Sequence, residues 1–150
     1  MPLILFILIF LASCGGMTKE VPTSFSQLTE EAPLYPDYRD VAIPYNIAPL
    51  NVMIDTDGEA FAGTITSASG KQIVAQADEN KLFYDAEEWR AFLEASKGES
   101  ITAKVFVKRD GKWLAFQPYE VYVAPEPIDS FLSYRLIEPS YELYRQLGLY

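Results

Sequence analysis

Residues 100–116 read Ser100-Ile-Thr-Ala-Lys-Val-Phe-Val-Lys-Arg-Asp-Gly-Lys-Trp-Leu-Ala-Phe116, a pattern typical of a β-hairpin. Asp110-Gly111 is the predicted turn, because both residue types accept the positive φ angles that a two-residue hairpin loop requires. This loop places Val107 opposite Leu114 and Val105 opposite Phe116. One face then carries the apolar residues Ile101, Ala103, Val105, Val107, Leu114 and Phe116. The opposite face is half polar, and a hairpin with one buried side predicts a layered β fold.

Short alternating segments on both sides of the hairpin predict further strands. Residues 52–54, 60–67 and 72–77 precede it, and residues 119–123 follow it. Prolines interrupt residues 35–50 at positions 36, 44 and 49, so this stretch is predicted to run as irregular chain over the domain, with an edge strand at most.

One helix is predicted at about residues 85–97. Asp85 is its N-cap, Glu88 stands at the capping-box position, and Gly98 follows its end. One helical face carries the apolar residues Trp89, Phe92, Leu93 and Ala95. The pair Glu87 and Glu88 could also be considered as catalytic carboxylates, but adjacent helical residues point in different directions, so capping is the favoured interpretation.

The C-terminal region predicts two short helices, at residues 129–137 and 140–147, separated at Pro139. Tyr141, Tyr144 and Leu147 form an apolar stripe on the second helix. Such a surface is expected to dock a protein partner or a following domain. The predicted fold is therefore mainly β: a small β-sandwich-like domain with one packed helix and a short C-terminal helix pair.

Composition excludes several classes of function. The chain has no histidine, one cysteine and a formal charge of −9. Without further Cys or His it cannot build a Cys/His zinc site, a Ser-His-Asp triad or an internal disulfide, and we expect no cofactor and no enzymatic activity. The acidic charge argues against binding of DNA or RNA.

Two motifs allow a ligand-binding interpretation beside a simpler one. Asp55, Asp57 and Glu59 place carboxylates around a glycine as in a calcium loop, but they lack the remaining ligands of an EF-hand. Turns select the same residue types, so a plain turn and no metal site is predicted. Trp113 beside Lys108 could form a ligand platform, although a cation–π pair on the outer face of the hairpin is favoured.

The N-terminus predicts where the protein is located. Residues 3–11 are apolar and too short to span a bilayer, and Leu11-Ala12-Ser13-Cys14 follows. This pattern resembles the lipobox of bacterial lipoproteins, although no Lys or Arg precedes the apolar run. The resemblance implies a signal peptide at 1–13 and lipidation of Cys14. We further predict a tether at 14–36, a β domain at 37–127 and a helical segment at 128–150.

The residues after Cys14 predict the target membrane. Position +2 is Gly15 rather than Asp, so the usual signal for retention in the inner membrane is missing. Outer-membrane anchoring is therefore expected. Lys19-Glu20 is similar to the Lys-plus-acidic signal that exports some Bacteroidota lipoproteins to the cell surface, and it leaves the periplasmic and surface faces both open.

A family resemblance rests on two segments. Residues 35–51, Tyr-Pro-Asp-Tyr-Arg-Asp-Val-Ala-Ile-Pro-Tyr-Asn-Ile-Ala-Pro-Leu-Asn, and 127–144, Pro-Ile-Asp-Ser-Phe-Leu-Ser-Tyr-Arg-Leu-Ile-Glu-Pro-Ser-Tyr-Glu-Leu-Tyr, resemble the N-terminal region of Bacteroidota lipoproteins that precedes a TolB-like, PD40/WD40-type β-propeller. The resemblance implies a non-enzymatic domain that tethers or positions a partner or a downstream propeller. The ten tyrosines and two tryptophans support an alternative, a surface lipoprotein that binds carbohydrate or peptidoglycan.

Overall fold

The computed structural model describes residues 18–131, which contain eleven strands and one helix. The elements are β1 (Ser26–Glu31), β2 (Leu34–Tyr35), β3 (Val41–Pro44), β4 (Val52–Ile54), β5 (Ala60–Thr66), β6 (Gln72–Val74), β7 (Gln76–Asp78), β8 (Lys81–Phe83), α1 (Ala86–Ala95), β9 (Ser100–Arg109), β10 (Lys112–Gln117) and β11 (Tyr119–Ala124). They form two sheets and one packed helix, so the prediction of a small, mainly β, sandwich-like domain is confirmed. The predicted C-terminal helix pair lies outside the described residues.

The predicted hairpin is the centre of the larger sheet. Leu114 pairs with Val107 and Lys112 with Arg109, as the two-residue loop requires. Asp110 and Gly111 have φ angles of 49° and 70°, which only a few residue types adopt without strain. The register predicted from the Asp-Gly turn is therefore correct.

Strand β9 is long enough to pair with three others. Along one edge it pairs with β5 over seven residues, from Thr102 to Lys108. Its other edge is shared, because β10 pairs with the C-terminal half and β11 with the N-terminal half. The sheet therefore divides beside β9 into two branches. One branch ends in β1 and the other in β3, and each of these end strands pairs in parallel with its neighbour.

The core lies on one face of the larger sheet, which two different layers cover. The smaller sheet, in the order β2-β4-β8-β7, covers one part, where Ile54 and Leu82 pack with Val105 and Val107. Helix α1 covers the other part. There its buried residues Trp89, Phe92 and Leu93 pack with strand residues of the larger sheet, including Ile43, Ile65, Ile73, Ile101, Val121 and Val123.

The two sheets come very close together at Gly63. A Cβ atom at this position would lie 2.6 Å from Cδ1 of Leu82, well inside van der Waals contact. Glycine is therefore required here because the opposing leucine fills the space that any side chain would take. Strand β5 is buried on both faces over Phe61–Ile65, because Phe61 and Ile65 pack in the inner clusters while Ala62 packs with Phe106 on the outer face.

Several boundaries differ from the sequence predictions. The predicted tether at 14–36 is wrong in its second half, because β1 and β2 belong to the two sheets. Residues 72–77 are not one strand but two: β6 pairs in the larger sheet and β7 in the smaller one. The edge strand predicted within residues 35–50 is present as β3, at the end of the path β1-β10-β9-β11-β3.

Helix α1 begins as predicted and ends slightly earlier. The Asp85 carboxylate accepts hydrogen bonds from the backbone N–H groups of Glu87 (3.0 Å) and Glu88 (2.9 Å). The side chain of Glu88 does not complete a capping box, because it forms an ion pair with Lys19. Ala95 was wrongly placed on the buried face. Ser96 is buried instead, and its hydroxyl donates to the carbonyl of Phe92 (2.9 Å).

Candidate functional site

The two sites predicted from sequence fall on residues that the structure does not describe. Cys14, the predicted lipidation site, precedes the described range, and the predicted docking residues Tyr141, Tyr144 and Leu147 follow it. The structure does describe how the chain enters and leaves the domain beside these sites. Those two connections, together with a groove beside the entry, are the candidate functional features.

The chain enters through a segment that we call the strap, residues 18–25. Thr18 forms a β-bridge with Ala77, with hydrogen bonds of 3.0 Å and 2.7 Å in the two directions. The Lys19 ammonium lies 2.9 Å from the Glu88 carboxylate at the start of α1. Pro22 is buried, and Phe25 packs edge-to-face on Phe106 with the ring centroids 5.1 Å apart. The strap therefore runs from the smaller sheet across the outer face of the larger one.

A groove of about 390 Å³ lies beside the strap on the outer face of the larger sheet. Its walls combine apolar strap residues with strand residues that carry hydroxyl, amide and ammonium groups. The lining residues are Val21, Pro22, Phe25, Thr64, Thr66, Gln72, Thr102, Lys104 and Phe106. An exposed aromatic ring, Phe25, next to several hydroxyl groups is a suitable surface for a small polar ligand such as a sugar.

Within residues 18–131, the two tryptophans and the most exposed tyrosines do not line this groove. Trp89 is buried and donates its indole N–H to the carbonyl of Ile47 (3.1 Å). Trp113 is half-buried, and the Lys108 ammonium lies 5.9 Å from its ring, which agrees with the predicted cation–π pair. The exposed Tyr35 and Tyr122 lie on different sheets, so these two rings do not form one planar row.

Two further tyrosines are packing residues. Burial, helped by the charge of Asp37, raises the pKa of Tyr119 to about 12. Burial also raises the pKa of Tyr84 far above its ordinary value. Both phenols therefore stay protonated to a higher pH than an exposed tyrosine would. Tyr84 also packs against Trp89, with ring centroids 5.5 Å apart, so its surroundings are those of a core residue.

The acidic turn predicted at residues 55–59 is held by hydrogen bonds to the β9–β10 hairpin. Arg109 donates to the Asp57 carbonyl (3.1 Å) and to the Thr56 hydroxyl (2.7 Å). The Glu59 carboxylate accepts from the Gly111 N–H (3.2 Å). Within residues 18–131, no group of three or more Asp, Glu, His or Cys side chains is placed to hold a metal ion.

Glu87 and Glu88, which were considered as a catalytic pair, do not form one site. Glu88 is engaged by Lys19, whereas Glu87 is exposed in the first turn of α1. The Asp37 carboxylate is paired with Arg39, whose hydrogen bond lowers the pKa of Asp37. Glu88 and Asp37 are thus held in ion pairs on the surface of the domain. Their arrangement does not bring an acid and a base to one cleft.

No family model, curated protein or solved structure matches this chain. Functional inference therefore depends on the residues themselves. No helix within residues 18–131 is long and apolar enough to cross a bilayer.

The chain leaves the domain through a contact between Asn46 and Ile128. The Asn46 side chain accepts from the Ile128 N–H (2.7 Å) and donates to the Ile128 carbonyl (3.1 Å), so one amide satisfies both backbone groups. The Ile128 side chain is half exposed, and Phe131 is 86% exposed. The exit therefore has a fixed position next to β3 and presents apolar side chains to solvent.

Sequence reasoning missed both connections. The strap has no regular hydrophobic period, so the sequence predicts a tether over these residues. Only Pro22 and Phe25 indicate in the sequence that this segment packs on the domain, because such residues are unusual in a solvated linker. The Asn46–Ile128 contact joins residues 82 positions apart, and no local pattern predicts it.

Proposed function

We propose that this protein is a lipoprotein domain, anchored in the outer membrane through lipid on Cys14, that holds a partner or a following β-propeller in position without catalysing a reaction. The observation that carries the proposal is the apolar run ending in Leu11-Ala12-Ser13-Cys14, since Cys14 is the only cysteine of the chain. The thioether lipid of a lipoprotein requires a thiol at that position. Several acyl chains together hold a protein firmly in a bilayer.

The described domain suits a positioning role. Its entry is fixed by the Thr18–Ala77 bridge and its exit by the Asn46–Ile128 contact, so both ends of the described chain are attached to the same rigid sandwich. A domain attached in this way transmits a defined geometry from the anchor to whatever follows it. Its two tryptophans and its partly buried tyrosines pack against the hydrophobic clusters, which also supports a structural role.

The test of the anchor is the substitution Cys14→Ala, with Ser13→Ala as the matched control that keeps a small residue before the cysteine. Cys14→Ala should abolish incorporation of a labelled fatty acid and release the protein from the membrane fraction, because the thiol that accepts the lipid is lost. The Ser13→Ala variant should be labelled and retained. Unchanged labelling and retention of Cys14→Ala would contradict the proposal.

A second candidate function is binding of carbohydrate or peptidoglycan, and the groove beside the strap is the observation that favours it. The Phe25 ring borders the groove together with the hydroxyl groups of Thr64, Thr66 and Thr102. Co-sedimentation with purified peptidoglycan that is lost in Thr102→Val, with stability unchanged, would support this function. Absence of co-sedimentation would favour the positioning role alone.

A further inference from the structure

Thr18, the first residue that the structure describes, is close in sequence to the predicted lipid site. Thr18 is paired with Ala77 on the edge strand of the smaller sheet, and Cys14 precedes it by four residues. Four residues span at most about 14 Å when fully extended. The tether predicted from sequence, residues 14–36, would have reached roughly 75 Å on the same basis.

We propose that the domain rests directly against the membrane, with β7 and the start of α1 turned toward the lipid head groups. The proposal rests on the proposed lipidation of Cys14. A lipid anchor within about 14 Å of Thr18 leaves no length for a stalk, because this reach is similar to the radius of a domain of this size. The Lys19–Glu88 ion pair adds a second attachment beside the bridge and fixes the direction in which the chain leaves.

The chemistry of this face shows that the short connection, and not affinity for lipid, sets the orientation. Glu20, Asp78 and Glu79 are exposed around the bridge. Lys19 is already paired with Glu88, and Lys81 stands opposite Asp78 in the β7–β8 register. Anionic lipid head groups attract basic segments and repel acidic ones. The chain without its lipid should therefore show no binding to anionic vesicles.

The exit lies at the other end of the larger sheet from β6. In this sheet, β5, β9 and β11 separate β6 from β3, and neighbouring strands lie about 4.8 Å apart, which places β3 roughly 19 Å from β6. β7 follows β6 after one residue, and Asn46 follows β3 after one residue. The Asn46–Ile128 contact thus places the exit beside β3, where Trp89 of α1 also reaches the carbonyl of Ile47 (3.1 Å). A probe on β3 therefore reports on the end of the sheet that is distant from β6.

The experiment uses the acylated mature chain in vesicles of phosphatidylethanolamine and phosphatidylglycerol that contain a head-group quencher. A fluorophore is attached to a new cysteine at Asp78→Cys on β7 or at Ala42→Cys on β3, two exposed strand positions. Cys14 does not react, since its thiol carries the lipid. Quenching should be at least threefold stronger at position 78 than at position 42.

The matched control inserts twenty Gly and Ser residues after Gly16. The longer connection should lower quenching at position 78 and remove the difference between the two positions, because it allows the domain to leave the surface and rotate. Equal quenching at both positions without the insertion, or a difference that the insertion leaves unchanged, would overturn the proposed orientation.

The same samples separate the two proposals. Chain that carries the lipid and floats with the vesicles but shows equal quenching contradicts the orientation alone. Chain that gains no fatty acid in cells and does not float with vesicles contradicts the anchor, and the orientation with it. Chain that lacks the lipid but still binds anionic vesicles would show that the acidic face itself has affinity for lipid. This result would overturn the proposal that the short connection sets the orientation.

Discussion

At the residue scale, the interior of the sandwich depends on large side chains that lie between the two sheets. Phe116 is 2% exposed and packs in the cluster that also contains Ile54, Leu82 and Val107. These residues come from both sheets, so Phe116 fills space that neither sheet can close alone. Removal of its ring would leave a cavity bounded by rigid backbone on two sides.

Phe116→Ala should therefore lower the free energy of unfolding by about 3 to 5 kcal/mol, which is enough to unfold a domain of ordinary stability. Tyr122→Ala is the control, because this side chain on β11 is 43% exposed. Chemical denaturation of both variants is the measurement. A Phe116→Ala variant with an unchanged unfolding midpoint would show that the hairpin face was assigned incorrectly.

At the element scale, the strap covers apolar surface that the sheets leave open. Phe106, Ala62 and Ala115 form a small buried cluster on the outer face of the larger sheet, and Phe25 lies over Phe106. The Lys104 ammonium, 5.5 Å from the Phe25 ring, adds a cation–π contact on the same side. The strap thus acts as an additional packing layer.

Phe25→Ser should lower the free energy of unfolding by about 1 to 2 kcal/mol, because it exposes the ring of Phe106 to water. Tyr35→Ser is the matched control. This side chain is 69% exposed on β2, and its loss should cost less than about 0.5 kcal/mol. The comparison of the two unfolding midpoints is the test, and equal midpoints would mean that the strap contributes no packing.

Strand β1 illustrates how an element can form without a hydrophobic pattern. Five of its six residues are exposed, and it pairs in parallel with β10. The Gln27 amide donates to the carbonyls of Ala115 (3.1 Å) and Phe116 (3.0 Å), and the Gln117 amide donates to the carbonyl of Thr29 (2.9 Å). These side chains supply hydrogen bonds across the irregular register of the pair. A polar edge strand of this kind also discourages further pairing with other chains.

At the scale of the whole molecule, the predicted C-terminal docking surface has two possible roles. It docks a following domain, or it packs on the sandwich of residues 18–131. Tyr141, Tyr144 and Leu147 lie beyond the described residues, and the Asn46–Ile128 contact fixes where the chain departs toward them. If the surface docks a following domain, the domain of residues 18–131 does not need it for folding. If it packs on the sandwich, its removal must destabilise the fold.

Deletion of residues 140–150 should therefore leave the melting temperature within a few degrees and reduce self-association of the isolated chain, because an exposed apolar stripe promotes association. Calorimetry and sedimentation analysis measure the two effects. A clear loss of stability with no change in oligomeric state would mean that the helices belong to the core of this domain. It would count against a longer protein that continues into a propeller.

The sequence alone determined the elements whose information is local. The Asp110-Gly111 turn and alternation of residue type established the β9–β10 register, and the Asp85 cap established the start of α1. These predictions succeeded because turn geometry, capping and burial on one face act over a few neighbouring residues.

The tertiary structure decided how distant segments combine. The strap, β1 and β2 were assigned to a tether because edge strands are held by backbone hydrogen bonds, which any sequence can form. The change of sheet between β6 and β7 was not visible either, because one apolar strand pattern fits both sheets. The proposed position of the domain near the membrane rests on the Thr18–Ala77 bridge, which pairs residues far apart in sequence. Hydrophobic periodicity does not predict such pairing, because the hydrogen bonds of the bridge form only when the partner strand is already in place.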